Sequence, residues 1–408
     1  MSGKFEAPRG TQDVTPADWP VWAHVIATAE ALFARYGYRR IQTPVLEDTE
    51  LFTRTAGEGS DVVQKEMYTF TDRSDRSLTL RPEGTAPICR AYLQHGMQQQ
   101  PQPVKLYAIA SMYRYAAPQR GRYREHWQFS VEAIGTDDPA IDAELIQLYD
   151  SLLRSLGIDD HTLLLNSIGD PNCRPQYVEA LSRWLDEHDE QLDDDAREKR
   201  RTSPLRVFDV KSERVREALA SAPRIGESLC DACREHFAAV RSYLDAYGVP
   251  YELDSTLVRG LDYYTRTTFE FVPASIGLAV GGGGRYDGLI EQLGGRPTPG
   301  IGFGAGIERI VLSLGDDVPP PPALDVFFAL DEGAQRELVL GWLKALRDAG
   351  VAADTDYAGR SLKGQLTQAG RSGAHTTVIV GAEGATLRRQ GAEDQPLSHA
   401  DVVGTLLR

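Results

Sequence analysis

The chain has 408 residues, 41% of them apolar and 25% charged, which fits two or three globular domains and excludes collagen-like, coiled-coil or wholly disordered organisation. Its net charge of −15, from 44 basic and 59 acidic side chains, argues against a non-specific nucleic-acid coat, and no DNA partner is expected. No apolar run reaches the roughly 18 residues of a membrane span, MSGKFEAPRG carries no apolar stretch after its lysine, and there are only four cysteines, so a cytoplasmic protein with no membrane partner is expected.

In chain order, Pro16 and Asp18 open an amphipathic helix that runs to Tyr36 and stops at Gly37. Short β-rich runs are predicted at 104–112, 127–134, 267–272 and 278–280. In the second of these, Phe129, Val131 and Ala133 alternate with Gln128, Ser130 and Glu132. Helical sequence lies at about 138–156 and again at about 175–248. That order predicts an α+β domain over 1–320, built on an antiparallel sheet and carrying a helical insertion at about 170–250. Four prolines, Pro319 to Pro322, mark an extended spacer. Beyond it, residues 325–408 read as strand, helix, strand, helix, strand and helix, a small α/β domain.

Four stretches carry candidate chemistry. In RPEGT, Glu83 and Thr85 share a face if the chain is extended, so a carboxylate and a hydroxyl can hold an ammonium group; the other reading is an exposed loop. Residues 112–128 form a long Arg- and Gly-rich hairpin in an otherwise acidic chain, and Arg114 is placed to clamp a phosphate. LVRGLDYYT at 257–265 sets Arg259, Asp262, Tyr263 and Tyr264 just before an apolar strand. Its alternative is a structural Asp–Arg pair. GIGFGAGIERIVL at 300–312 takes a glycine-rich strand into an amphipathic helix with Arg309 in its first turns.

The last stretch also satisfies G-x-G-x-x-A from Gly300 to Ala305, a dinucleotide-binding pattern. The proline spacer follows where a βαβ unit should continue, so this reading is set aside. No G-x-x-x-x-G-K-[ST], H-E-x-x-H or G-x-S-x-G occurs. Cys230-x-x-Cys233 with His236 hints at metal, but Cys89 and Cys173 show no second pair. No metal-binding residues are expected, and the two cysteines are read as surface or packing residues in helical sequence at 227–244.

Taken together and in this order, the stretches resemble the class II aminoacyl-tRNA synthetases and, within them, the histidyl-tRNA synthetase family. Residues 38–52 are similar to its motif 1, which builds a homodimer interface, 112–135 to motif 2, 300–312 to motif 3, and LVRGLDYYT to its histidine-specific motif. The resemblance implies a cytoplasmic enzyme that uses ATP with Mg²⁺ to activate L-histidine and passes it to tRNA(His). Residues 325–408 would be the anticodon-binding domain. It further implies that Glu83 and Thr85 hold the histidine amino group and that Gln128 lies near its carboxylate. Glu132 and Tyr264, with Tyr263 beside them, would bind the imidazole. Arg114 and Arg259 would act catalytically at the α-phosphate, and Arg122 and Arg309 would hold the β- and γ-phosphates. The family's acid two residues after the motif 2 arginine, and the arginine after that, are replaced here by Ala116 and Ala117. The competing function is a non-catalytic paralogue that regulates ATP phosphoribosyltransferase in histidine biosynthesis. Such paralogues usually lack the C-terminal domain.

Overall fold

The computed structural model describes residues 5–57, 60–210, 212–315, 323–389 and 391–408. The chain divides into two compact units, Met1–Pro319 and Pro320–Arg408. The proline spacer at 316–322 lies outside the described residues.

The strands of the first unit are β1 (Arg39–Arg40), β2 (Leu46–Asp48), β3 (Tyr68–Thr71), β4 (Ser77–Leu80), β5 (Val104–Tyr113), β6 (Glu125–Ile134), β7 (His161–Ser167), β8 (Glu252–Leu253), β9 (Thr265–Pro273), β10 (Gly281–Arg285) and β11 (Gly300–Gly306). Its helices are α1 (Trp19–Arg35), α2 (Thr49–Ala56), α3 (Thr85–Gln94), α4 (Pro139–Ser155), α5 (Arg174–Glu187), α6 (Asp194–Thr202), α7 (Glu213–Ala218), α8 (Asp231–Tyr247), α9 (Leu289–Gln292) and α10 (Ile307–Leu314). An 8-stranded sheet runs in the order β1-β5-β6-β11-β10-β9-β7-β8. Its inner pairings are antiparallel, and the short edge strands β1 and β8 pair parallel. Strands β2, β4 and β3 form a small antiparallel sheet beside it.

Alternation along β6 divides the sheet into two faces. Phe129, Val131 and Ala133 enter the main core with Val25 and Phe33 of α1, Leu145 and Tyr149 of α4, Leu244 of α8 and Ile310 of α10. Gln128, Ser130 and Glu132 point to the other face, where α3 and α9 pack through Ile88, Tyr92, Leu289 and Ile290. Helices α5 to α8 enclose a core of their own, including Tyr177, Leu181, Leu185, Val215 and Cys233.

Several expectations move. The first helix begins at Trp19, because Asp18 accepts hydrogen bonds from the Thr15 N–H (3.0 Å) and hydroxyl (2.6 Å) and closes a turn before the helix. No strand forms at 278–280. The strand starts three residues later, as β10, inside the glycine tract, where no side chains exist to supply an alternating pattern. Strand β7, which lies between β9 and the edge strand β8, was not anticipated at all. In the sequence, Cys230 finds a partner only in Cys233, but the fold adds Cys173, whose sulfur lies 3.9 Å from that of Cys233.

The second unit contains β12 (Val326–Leu330), α11 (Arg336–Asp348), β13 (Ala353–Thr355), α12 (Leu362–Arg371), β14 (Thr376–Val380), β15 (Ala385–Arg389), β16 (Gln395–Leu397) and α13 (Val402–Leu406). The sheet order is β13-β12-β14-β15-β16, parallel among the first three strands and antiparallel thereafter. Trp342, Leu346 and Val402 cover one face, and Ala369 with Leu366 covers the other. The segment between Gly384 and Pro396 supplies β15 and most of β16, two strands beyond the three read in the sequence.

A buried ion pair ties β10 to α4. Arg285 and Asp142 are both fully inaccessible and bonded to each other, and Arg285 also donates to Asp287 (3.1 Å) and to the Thr136 carbonyl (2.6 Å). Burial pushes the Asp142 carboxyl up to about 6 against the pull of Arg285. Arg285→Met would strand that carboxylate, so a loss of about 3–5 kcal/mol is expected, read as a shift in the denaturant midpoint.

Candidate active site

A cavity of about 270 Å³ opens over β6, β11 and β10 on the face opposite the main core. Its floor is made by the glycine strands. Gly302 of β11 lies across from Glu132 in β6, and a Cβ there would strike the Glu132 carboxylate. At Gly282 of β10, a Cβ would sit 2.8 Å from both the Arg259 guanidinium and the Glu270 side chain. Side chains at these positions would occupy the space the site leaves open.

The rim and walls come from distant segments. Arg114 directly follows β5, Arg122 lies in the hairpin between β5 and β6, Arg259 precedes β9, and Arg309 lies in the first turn of α10; all four line the cavity. Each is held by a specific partner. Arg114 Nε donates to the Pro82 carbonyl (2.7 Å). Arg309 Nε donates to the Gly121 carbonyl (2.8 Å), and its Nη1 donates to the Ala279 carbonyl (2.6 Å). Arg122 pairs with Glu66 at 2.7 Å, and Arg259 pairs with Glu270. The buried Arg259 Nε has no acceptor among the described residues.

The concentration of positive charge shows in its neighbours. His126, on the cavity wall, is pushed down to about 3 by burial and by the charges of Arg114, Arg309 and Arg122, so it is neutral. Burial and the adjacent Arg122 pull Arg309 below the ordinary guanidinium range. Arg114 and Arg309 are held by backbone carbonyls and not by carboxylates, so their charge is left for an anion.

Beside the arginines lies a second, more enclosed compartment. Glu83 and Thr85 do not share the face of an extended strand. Thr85 opens α3, and the buried Glu83 carboxylate accepts hydrogen bonds from the Thr85 N–H (2.7 Å) and the Ala86 N–H (2.9 Å), satisfying donors that a helix start leaves open. The Thr85 hydroxyl donates to Glu132 Oε1 at 2.7 Å, and Tyr263 donates to Glu83 at 3.4 Å. The rings of Tyr263 and Tyr264 lie 4.6 Å apart, and both line the cavity, as does Gln128.

Glu132 lies one layer deeper. It is fully buried behind Thr85, and the Tyr286 hydroxyl donates to its Oε2 at 2.7 Å. Burial raises its carboxyl to about 8; the hydrogen bonds from Tyr286 and Thr85 oppose that rise, while nearby Glu83 adds to it. Sequence reading missed Glu270, Tyr286 and Glu66. The acid that meets Arg259 is Glu270, not Asp262, which lies outside the cavity lining. Glu270 stands eleven residues on, inside an apolar-looking strand, and the break it makes in that strand's apolar run was the available signal. Ala116 is buried in the cavity wall, and Tyr115 beside it stacks under Arg124 at 3.8 Å.

An antiparallel sheet with glycine strands as its floor, arginines from four separate segments around one cavity, and a polar compartment alongside define a class II aminoacyl-tRNA synthetase. A sequence model described as histidyl-tRNA synthetase matches residues 10–310. The histidine–tRNA ligase of Dehalococcoides mccartyi strain 195 is 48% identical over 93% of this chain and 92% of its own length, and that of Desulforamulus reducens is 45% identical over 97% of each. The crystal structure of apo Staphylococcus aureus histidyl-tRNA synthetase superposes with a TM-score of 0.82 at 36% identity, covering 99% of this chain and 100% of that one. The chain belongs to the histidyl-tRNA synthetase family.

Proposed function

We propose that the chain is a histidine–tRNA ligase, which activates L-histidine with ATP to histidyl-adenylate and transfers the histidyl group to the 3′ end of tRNA(His). The observation that carries this reading is the meeting of Arg114, Arg122, Arg259 and Arg309 in one cavity with Glu83, Thr85, Gln128, Tyr263 and Tyr264. The histidine carboxylate attacks the α-phosphorus of ATP, that bond forms as the bond to pyrophosphate breaks, and pyrophosphate leaves. The attacking carboxylate is already ionised, so the step needs positioning and charge neutralisation, not a general base. Arg114 and Arg259 neutralise the α-phosphate, and Arg122 and Arg309 hold the β- and γ-phosphates of a bent nucleotide. Glu83 with Thr85 receives the amino group, Gln128 lies by the carboxylate, and Tyr263, Tyr264 and Glu132 surround the imidazole.

Mg²⁺ would arrive with the nucleotide and neutralise charge on the leaving pyrophosphate. Glu270 and Glu308, carboxylates that line the cavity, would offer the hard oxygen donors it takes. With Ala116 and Ala117 following Tyr115, this chain reads adenine and the tRNA acceptor end without side-chain contacts from those two positions. Residues 325–408 take the anticodon-binding role. Residues 38–52 supply the homodimer surface, where Val45 and Leu46 stand exposed. The unbridged cysteines suit a reducing cytoplasm. Among the described residues, no helix is long and apolar enough to cross a membrane.

The test is ATP–pyrophosphate exchange with each amino acid in turn, followed by charging of tRNA. Exchange is expected with histidine alone. A site that pairs both imidazole nitrogens should reject apolar analogues by about 10⁴–10⁵. No exchange with histidine, together with binding to ATP phosphoribosyltransferase, would establish the regulatory alternative instead.

A further inference from the structure

Away from the cavity, where the sheet hands over to the helices α5–α8, Asp170, Cys173, Cys230 and Cys233 converge from positions sixty residues apart, their ligand atoms all within 4.8 Å of one another. The Cys173 and Cys233 sulfurs are 3.9 Å apart, and Asp170 Oδ1 lies 3.6 Å from the Cys173 sulfur and 3.9 Å from the Cys230 sulfur. A tetrahedral zinc ion with Zn–S near 2.3 Å and Zn–O near 2.0 Å requires sulfurs roughly 3.8 Å apart and sulfur–oxygen separations of roughly 3.5 Å. Three of the separations lie within about 0.4 Å of those values, and a pair at the 4.8 Å limit would close by about 1 Å as the ion binds. We propose that these four side chains form a closed structural zinc site.

The surroundings favour thiolates and a bound cation. Cys173 and Cys230 are the residues that open α5 and α8, where helix N-termini favour negative sulfur. Asp170 is buried with its Oδ1 turned to the sulfurs and fixed by the Asn172 N–H at 2.9 Å, while its Oδ2 faces Arg266 at 3.6 Å. That arrangement orients a ligand oxygen and offsets the negative charge of a centre with three thiolates and one carboxylate around a divalent ion. Gly169 clears the space: its φ is +66°, and a Cβ there would lie 2.8 Å from the Cys173 sulfur. Three thiolates select a soft or borderline ion, and four protein ligands leave no open position, so the site is structural and not catalytic.

Arg174, next to Cys173, donates to the carbonyls of Ile168 (3.1 Å), Gly169 (3.0 Å) and Tyr264 (2.6 Å). The ion therefore clips both ends of the helical insertion to the segment that carries Tyr264 into the cavity.

The test uses the full chain purified under reducing conditions. Metal analysis should find about one zinc per chain, with Cys230→Ser losing it. The chelator-treated protein titrated with Co²⁺ should develop thiolate-to-cobalt charge-transfer bands and the intense visible bands of tetrahedral cobalt, saturating near one equivalent and releasing protons as the thiols ionise. Cys230 is partly exposed, so its serine variant should keep the fold; the wild-type cobalt spectrum stands whether or not it does. Cobalt bound without thiolate bands, zinc retained in full by a folded Cys230→Ser, or a freshly isolated chain with a Cys173–Cys233 disulfide in place of metal would each overturn the assignment.

Discussion

Arg259→Ala is expected to lower histidine-dependent ATP–pyrophosphate exchange by on the order of 10²–10³ without unfolding the protein, the scale set by loss of one fixed donor to a developing oxyanion. Two effects combine. The variant removes a cation from the α-phosphate position, and it leaves the Glu270 carboxylate, now paired with Arg259, facing an incoming polyphosphate. Glu270 lies at the cavity and is three-quarters buried, so its uncompensated charge should raise the KM for ATP. The double variant Arg259→Ala/Glu270→Gln therefore separates the effects. It should recover much of the ATP KM while kcat stays low, because the cation is still missing. Arg259→Lys should recover only part of kcat, since an ammonium cannot reproduce the guanidinium fork, and the unpartnered Nε is lost with it. Unchanged exchange in Arg259→Ala, with the fold intact by circular dichroism, would remove Arg259 from the reaction.

The long apolar alternations were legible in the sequence. The β5–β6 hairpin has side chains on both faces, and its period of two shows in Phe129, Val131 and Ala133 against Gln128, Ser130 and Glu132. Strand β10 was not legible, because four successive glycines carry no periodicity; its position is set by pairing with β9 and β11 and by the need to leave room over the floor. Strand β7 was missed because a seven-residue segment beginning His-Thr and ending Asn-Ser shows little strand pattern, and its place is fixed by pairing with β9 and β8. At the site, the arginines stood out because guanidinium groups next to apolar strands need a reason. Their partners Glu66 and Glu270 did not, since a lone acid reads as a solvated surface group until the fold brings it to a cation. The same holds for Cys173, which no local spacing joins to Cys230 and Cys233.

Glu132 carries the second large effect. Burial, with a smaller contribution from Glu83, raises its carboxyl from the ordinary 4.5 to about 8, while Tyr286 and Thr85 pull the other way. A carboxyl raised on folding contributes stability that is fully present below its unfolded value and is lost as pH climbs through about 8. Glu308, raised to about 7, and Asp142, raised to about 6, act in the same direction, so the wild-type melting temperature should fall from pH 5 to pH 9. Glu132→Gln fixes the neutral form: its amide oxygen accepts from one of the two hydroxyls, Thr85 or Tyr286, and its amide N–H donates to the other, whose hydroxyl turns to accept. Its melting temperature should match wild type near pH 5 and exceed it near pH 9, leaving only the decline due to the other two groups. In exchange assays, Glu132→Gln and Glu132→Ala should raise the KM for histidine and relax discrimination against its analogues while leaving the KM for ATP near wild type, because Glu132 lies beneath Thr85 and Tyr286 and not among the arginines. Glu132→Ala should also lose stability at every pH, since Tyr286 and Thr85 would be left buried without their acceptor. Parallel loss of histidine and ATP affinity in Glu132→Gln would mean that this carboxyl supports the whole floor of the cavity and does not read the amino acid.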